Sequence, residues 1–295
     1  MWNFFADAFA SDITRRALVG GLIAATTTSL IGTWVVVRGL AFFGDAMAHG
    51  VLPGIALAVI WGFDLTLGAM ASAIVMVFGI NLVHRTTRLG DDTGIGLLFV
   101  GMLALGVVII SRTDSFAGDL TSFLFGDVLG VRDSEIRLGL VALAITAVGL
   151  VLGHRSFLAL SINRDKAETL GLRPGLAHAM MLSLLALAVV ASFRVVGTLL
   201  VFGLMVAPPA TAVLLVRRIP VAMVVAVGFG WLSVVLGLAI SYHADTAASA
   251  TMAGIAVAQF FVVLIATELR GAIGSRRPAG SSAGRGGQRS GSDAT

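Results

Sequence analysis

The sequence predicts an all-α, polytopic membrane protein, and three observations carry that prediction. Hydrophobic residues make up 57% of the 295 residues and charged residues only 12%, a composition typical of chains that lie mostly in lipid. The mean hydropathy is +0.98. The apolar residues also fall in long runs separated by short polar loops, and about 20 apolar residues on a helix cross a bilayer. No sizeable soluble domain fits between these runs.

Eight to nine transmembrane helices are expected, because nine spans can be placed but Arg194 leaves almost no loop between the sixth and the seventh. The first 16 residues are mixed in charge, and no cleavage-site pattern follows the first apolar run, which indicates a retained span rather than a signal peptide. We therefore predict an N-terminal segment 1–16, a transmembrane domain 17–270 and a disordered, cytoplasmic tail 271–295 rich in Gly, Ser and Arg. The predicted spans are 17–37, 41–60, 65–83, 94–111, 136–153, 176–193, 195–216, 220–240 and 247–267.

Charge predicts which loops face the cytoplasm. Basic residues fall in alternate loops and in the tail, for example Arg85, Arg155 and Arg217, so these loops are expected inside. The loop 112–137 is acidic by comparison and is expected outside. Nine spans then put the N-terminus outside and the C-terminus inside; Arg15 and Arg16 argue mildly against this, and eight or ten spans would reverse the side of the N-terminus. The net charge of +4 is explained by these loops and does not indicate a nucleic-acid partner.

Two residue types are informative by their scarcity. The chain has no cysteine, which excludes disulfides, zinc–thiolate sites and cysteine nucleophiles. Its single lysine, Lys166, follows Asp165, whereas a phosphate-binding loop requires Gly-Lys-Ser/Thr. The chain by itself is therefore not a P-loop ATPase.

The strongest functional signal lies in the second span, where Asp45, His49 and Pro53 are each four residues apart. On a helix these positions share one stripe. An ionisable side chain at membrane depth costs about 2.5–3.5 kcal/mol even on lenient scales, so such residues usually mark a path or a binding site. A carboxylate and an imidazole at i and i+4 can bind one divalent cation together. The alternative is a pair that caps a helix or hydrogen-bonds between helices.

Small residues and prolines predict local features of the spans. Ala46, Gly50 and Gly54 repeat at intervals of four beside the Asp45 stripe, a pattern that lets another helix approach closely. Pro208 and Pro209 lie within the seventh span and are expected to kink or unwind it. Together with Pro53 they are the candidate kink or gate residues.

The chain resembles the membrane permease subunit of ABC importers for zinc, manganese and iron, from about residue 15 to 267. The resemblance is carried by the stretches 32–39, 41–54, 94–99, 123–130, 196–201 and 207–212. It implies an ABC importer transmembrane domain in a prokaryotic cell membrane that works as a homodimer. It also implies two copies of a cytosolic ABC ATPase and an extracytoplasmic metal-binding protein. In the family, the residues that match Asp45 and His49 line the path and contact the metal.

Two further segments matter in the light of the resemblance. The loop 163–175 is similar to the coupling helix of ABC importers: Ala167 and Gly171 give it a small face beside Glu168, which an ATPase groove can accept, whereas the alternative is an ordinary loop. The stretch 241–249 departs from the family, because it lacks the usual Pro-Ser-Gly after its aspartate. His243 in this stretch is a candidate extra metal ligand, although a histidine at a loop edge is more often simply solvated.

The predicted function is import of a divalent transition metal, with the ion as cargo and no resident cofactor. Imidazole favours zinc, while manganese and iron also suit a histidine with a carboxylate. The first alternative is a proton-coupled secondary metal transporter in which Asp45 and His49 relay protons. An intramembrane metalloenzyme is a weaker alternative, because no third strong ligand accompanies the pair.

Overall fold

The computed structural model describes residues 9, 11–87, 90–111, 130–162 and 174–275. Within these residues the chain is helical and has no strand, as predicted. We label the helices of this part of the chain α1 to α9. Their bounds are Asp12–Val37, Ala41–Gly50, Leu52–Trp61, Leu65–Thr86, Asp91–Ile110, Asp133–Ile162, Pro174–Leu215, Ile219–Ala244 and Ala248–Ser275.

Eight helical segments in the described part of the chain are long and apolar enough to cross a membrane, and a shorter apolar one accompanies them. Helices α2 and α3 together form one long segment, Ala41–Trp61, while α7 supplies two arms, Pro174–Thr198 and the shorter Leu200–Leu215. These segments correspond to the nine predicted spans. Helix α1 begins before the predicted start at residue 17, because the Ser11 hydroxyl caps it by accepting from the Thr14 amide at 3.2 Å.

Helix α7 is a hairpin, because the backbone reverses direction at Gly197. This residue has φ 75° and ψ 162°, a conformation that essentially only glycine adopts. In a straight helix Met181 and Met205 would lie about 36 Å apart. Instead Arg38 Nη1 lies 3.4 Å from Met181 Sδ, and the Met205 carbonyl lies against Gly32, only about 9 Å from Arg38 along α1. The two arms are therefore antiparallel, and the sixth and seventh predicted spans are separate.

The second predicted span is divided into two short helices. Helix α2 ends at Gly50 and α3 begins at Leu52. Pro53 lies in the first turn of α3, where a proline is tolerated because its missing N–H would have no partner within the helix. Pro53 is buried, and its nitrogen lies close to Gly106 of α5. Pro53 is thus buried, whereas Asp45 and His49 are partly exposed; its assignment as a kink or gate residue stays a prediction.

Pro208 and Pro209 lie within the second arm of α7 and do not unwind it, since the non-helical dihedrals within α7 are at Gly197; their assignment as kink or gate residues stays a prediction. A proline leaves the carbonyl four residues earlier without its helical donor. For Pro208 this carbonyl belongs to Leu204, and it accepts a hydrogen bond from Ser29 Oγ of α1 at 3.5 Å. A side chain of the neighbouring helix replaces the lost bond, so the helix continues.

Glycines allow α2 and α3 to contact α4 closely, as the small-residue repeat predicts. A methyl group on Gly54 would overlap the carbonyl of Gly68, and one on Gly50 would overlap the side chain of Met76. Helices in lipid associate through such close packing, because the lipid tails remove the hydrophobic drive that acts in water. The segment that carries Asp45 and His49 is thereby held firmly against α4.

Ion pairs join helix ends on the face opposite the arginine-rich loops. Arg194 Nε lies 3.2 Å from Glu135 Oε1 of α6, and its Nη1 lies 3.8 Å from Asp64 Oδ2 before α4. Partial burial alone would raise the pKa of Asp64, but hydrogen bonds from Thr66 and Leu67 and the charge of Arg194 outweigh it and hold the pKa below its ordinary value. These groups lie together on the side predicted to be outside.

The structure describes only parts of the two predicted terminal segments. Helix α9 continues to Ser275, so it covers the start of the tail predicted at 271–295. Residues 1–8 of the N-terminal segment and residues 276–295 of the tail lie outside the described residues. The predictions for those residues stay predictions.

Candidate metal site

Asp45 and His49 lie together on the open face of α2. His49 Nε2 is 3.7 Å from Asp45 Oδ1, and the two side chains are 29% and 38% exposed, respectively. On the opposite face of the helix Phe43, Ala46 and Met47 are completely buried, which fixes the rotation of α2. His49 lies about 12 Å along the segment that starts at Ala41, and is therefore near the middle of the span.

The separation of the two side chains suits a shared metal ion. At 3.7 Å the Asp45 oxygen and the His49 nitrogen are too far apart for a hydrogen bond. An ion about 2.1 Å from each atom would bind both at an angle of about 120°. The sequence prediction that this carboxylate and this imidazole form a pair is thus realised in the geometry, and both groups remain accessible from the open face.

Aromatic rings border the pair on one side. The ring centroid of Phe99, on α5, lies 5.9 Å from that of His49 and 5.8 Å from that of Phe42. Phe99 therefore forms an apolar wall beside the imidazole. Sequence reasoning did not assign these rings to the site, although Phe42 lies within the motif around Asp45 and Phe99 ends another of the stretches that carry the resemblance.

One chain does not supply a complete coordination shell within the described residues. No group of three or more histidine, aspartate or glutamate side chains comes together there as a metal site. His243 lies in the last turn of α8, is exposed, and its Nδ1 is 2.9 Å from the Ala239 carbonyl of its own helix. The structure does not bring His243 to Asp45 and His49.

A second pair of histidines was not singled out from the sequence. His84 in the last turns of α4 stacks on His178 in the first turns of α7, with ring centroids 4.9 Å apart and planes inclined by 22°. Stacked rings present their faces to each other, so their nitrogens do not converge on one point as chelating ligands do. The pair therefore differs in kind from Asp45 and His49.

The predicted ATPase-coupling residues cannot be placed in the same way. Ala167, Glu168 and Gly171 lie in the segment 163–173, outside the described residues. Their assignment stays a prediction from the sequence and the resemblance. The segment connects α6 to α7, whose neighbouring ends carry Arg155 and His178 on the arginine-rich side.

Comparison with known proteins gives matches over nearly the whole chain. The model of the ABC 3 transport family matches residues 10–267. The manganese transport system membrane protein MntC of Listeria monocytogenes is 33% identical over 275 residues, which is 93% of this chain and 98% of that protein. The chelated iron transport system membrane protein YfeD of Yersinia pestis is 31% identical, over 92% of this chain and 91% of its own length. The solved structure of PsaBC from Streptococcus pneumoniae in complex with Fab has a TM-score of 0.78 and 28% identity, over 89% of this chain and 95% of that chain.

Proposed function

The chain belongs to the ABC 3 transport family and is the membrane permease subunit of a metal ABC importer; we propose that its cargo is Mn²⁺ or Fe²⁺, carried along a path between two copies of the chain. Its long apolar helices make it a multi-pass membrane protein. The proposal concerns the identity of the ion, the residues that contact it and the assembly that moves it.

The observation that carries the proposal is the partly exposed Asp45–His49 pair near the middle of a span. In an isolated chain these side chains would face lipid, and each would cost about 2.5–3.5 kcal/mol or more. A second copy that covers the open face of α2 removes this contact with lipid. The two copies together supply two carboxylates and two imidazoles, which is a sufficient set of ligands for one divalent cation.

Ligand chemistry and relatives support manganese or iron over zinc. Imidazole alone favours zinc, but carboxylate oxygens shift the preference towards harder ions such as Mn²⁺. MntC is named for manganese and YfeD for chelated iron. The zinc preference inferred from the sequence has no support from these relatives, so Zn²⁺ becomes the competitor in the test.

The remaining parts of the importer are proposed from the family. Two copies of a separate ATPase would supply the energy, and an extracytoplasmic binding protein would deliver the ion to the outer face near Asp64 and Glu135. The segment with Ala167, Glu168 and Gly171 is proposed as the contact with the ATPase.

The direct test is metal uptake by cells that depend on this importer. Asp45→Asn keeps the side-chain shape but removes the negative charge, and His49→Ala removes the nitrogen ligand. Each should lower the accumulation of radioactive manganese or iron at limiting concentration by at least about tenfold, because even residues behind the ligands typically change metal affinity by about 10–100-fold.

Matched controls use the same substitutions at the outer end of α8. Asp245→Asn and His243→Ala should leave uptake close to wild type if the pair on α2 is the site, with equal amounts of protein in the membrane. Uptake by both α2 variants at the wild-type level would refute the site. Transport of zinc in preference to manganese and iron would refute the proposed cargo but keep the site.

A further inference from the structure

A groove opens between α1, α6 and α8 at the flank of the molecule. Its volume is about 380 Å³. Its walls are almost wholly apolar, formed by Leu30, Ala147, Leu150, Val151 and Met223, and one polar side chain, His154, lies at its end beside Pro220. Val151 is 77% exposed, so the groove is open to the surroundings of the protein rather than closed inside it.

The groove lies in the cytoplasmic half of the membrane. His154 is near the end of α6 and Pro220 is at the start of α8, which follows the arginine-rich loop. From His154 to Ala147 the groove follows α6 for about 10 Å towards the middle of the membrane. A polar end at the membrane surface and an apolar channel above it match the two parts of a phospholipid, a headgroup and an acyl chain.

Arginines are adjacent in sequence to the polar end of the groove. Arg155 lies next to His154 on α6, and Arg217 and Arg218 lie just before Pro220 at the start of α8; all three are exposed. Arg38 follows α1, but its guanidinium lies against Met181 of α7. The bordering segments 147–162 and 214–226 contain no acidic residue. Basic pockets between membrane helices on the cytoplasmic side attract anionic headgroups.

The groove is separate from the proposed metal path. Helices α6 and α8 pack mainly against α1, α7 and, for α8, α9, whereas α2 packs mainly against α5 and α7. A second copy that covers Asp45 and His49 therefore approaches α2 and α5, and the flank formed by α6 and α8 is left for lipid. This location distinguishes the groove from an interface that completes the metal site.

We propose that this groove is a binding site for one anionic phospholipid of the cytoplasmic leaflet. The acyl chain lies along Leu150 and Val151, and the phosphate lies at the end marked by His154 and Pro220, within reach of the exposed Arg155, Arg217 and Arg218. This proposal concerns how the permease binds lipid, and it does not depend on which metal the importer carries.

Photolabelling of the full-length chain in liposomes tests the site. Phosphatidylglycerol with a photoreactive acyl chain should label peptides of α6 and α8 more strongly than the same probe built on phosphatidylcholine. Replacing Arg217 and Arg218 by glutamine should reduce that preference by about fivefold for each arginine. Ala147→Trp should fill the groove and abolish the labelling.

Matched controls separate the groove from general effects. Val148→Trp places the same ring on the neighbouring exposed position, and Arg137→Gln removes one charge at the opposite end of α6; both should keep the labelling. Equal labelling by the two lipids, or an unchanged preference in the arginine variant, would mean that these arginines only orient the chain in the membrane and would overturn the proposal.

The absence of cysteine from the chain allows one further test. A single Val151→Cys would be the only thiol in the protein. If a second copy rather than lipid covered the groove, oxidation would link two chains through this residue. Such a disulfide-linked dimer would overturn the lipid assignment. We expect instead that no disulfide forms at this position and that phosphatidylglycerol protects the thiol from a water-soluble thiol reagent.

Discussion

Arg194 shows how one residue can connect several helices on the face predicted to be outside. Besides its ion pairs with Glu135 and Asp64, its Nη1 donates to Thr66 Oγ1 at 3.3 Å. The side chain of Glu135 is only 13% exposed, so loss of its partner would leave a carboxylate largely screened from water. The pair between Arg16 and Asp133 is longer, at 3.7 Å, and both side chains are mostly exposed.

Arg194→Ala should therefore destabilise the protein much more than Arg16→Ala. A largely buried carboxylate without its partner typically costs a few kcal/mol, whereas an exposed pair contributes about 0–1 kcal/mol. Thermal unfolding of the two variants in the same detergent measures the difference. Equal shifts of the unfolding temperature would contradict the role assigned to Arg194.

Pro208 illustrates why a residue-level rule from the sequence did not suffice. The rule that proline breaks a helix assumes that the freed carbonyl stays without a donor. Here the freed carbonyl of Leu204 accepts from the hydroxyl of Ser29, which lies 175 positions before Leu204 in the sequence. Only the packing of α1 against α7 brings the two together, so no local pattern contained this information.

At the scale of whole elements, the hairpin in α7 depends on Gly197. Hydropathy identified both arms as spans because each is apolar along its length, and the charge of Arg194 marked the boundary between them. The nature of the connection was not predictable in the same way. A glycine within an apolar run is compatible with a continuous helix, and its left-handed conformation is fixed by the contacts of both arms with α1.

Gly197→Ala should lower stability strongly, by about 1–3 kcal/mol or more, because a side chain at φ 75° and ψ 162° is strained. Gly228→Ala is the matched control: this glycine is helical within α8 and has no atom near the position of an added Cβ. There, alanine should be neutral or stabilising by up to about 1 kcal/mol. The comparison requires unfolding curves of both variants, and equal stability of the two would show that the turn tolerates a side chain.

The sequence was similarly limited in predicting the segment that contains α2 and α3. The spacing of Asp45 and His49 predicted their common face correctly, because both lie within α2. The same spacing did not reveal that one helix ends at Gly50 and the next begins at Leu52, or that Pro53 is buried. Periodicity places side chains around a helix, whereas the packing of neighbouring helices decides which of them are buried.

At the scale of the molecule, the sequence predicted the fold class and most of the segments, but it revealed only two residues of the proposed metal site. Long apolar runs are a strong signal because the membrane requires them. The pair Asp45 and His49 was visible because charged residues are rare at that depth. The rest of a coordination shell was not visible, because one chain supplies only two of these ligands in the described residues and the others are proposed to come from a second copy.

The whole molecule should also be inactive as a transporter on its own. The lysine that a phosphate-binding loop needs is absent from the chain, since Lys166 follows Asp165 rather than glycine. Reconstituted alone in liposomes, the permease should neither hydrolyse ATP nor accumulate manganese or iron. Addition of the ATPase and the metal-loaded binding protein should give uptake that stops when the phosphate-binding lysine of the ATPase is replaced.

An imposed proton gradient is the decisive condition in that experiment, because a proton-coupled transporter would use Asp45 and His49 to relay protons. Such a protein would concentrate the metal without ATP, and Asp45→Asn would abolish the response to the gradient. The permease in our interpretation should show no gradient-driven accumulation with either residue at position 45, because closing and opening of its path depend on the ATPase. Concentrative uptake by the chain alone would therefore reject ATP-driven import and establish the proton-coupled alternative, while leaving the assignment of the Asp45–His49 pair intact.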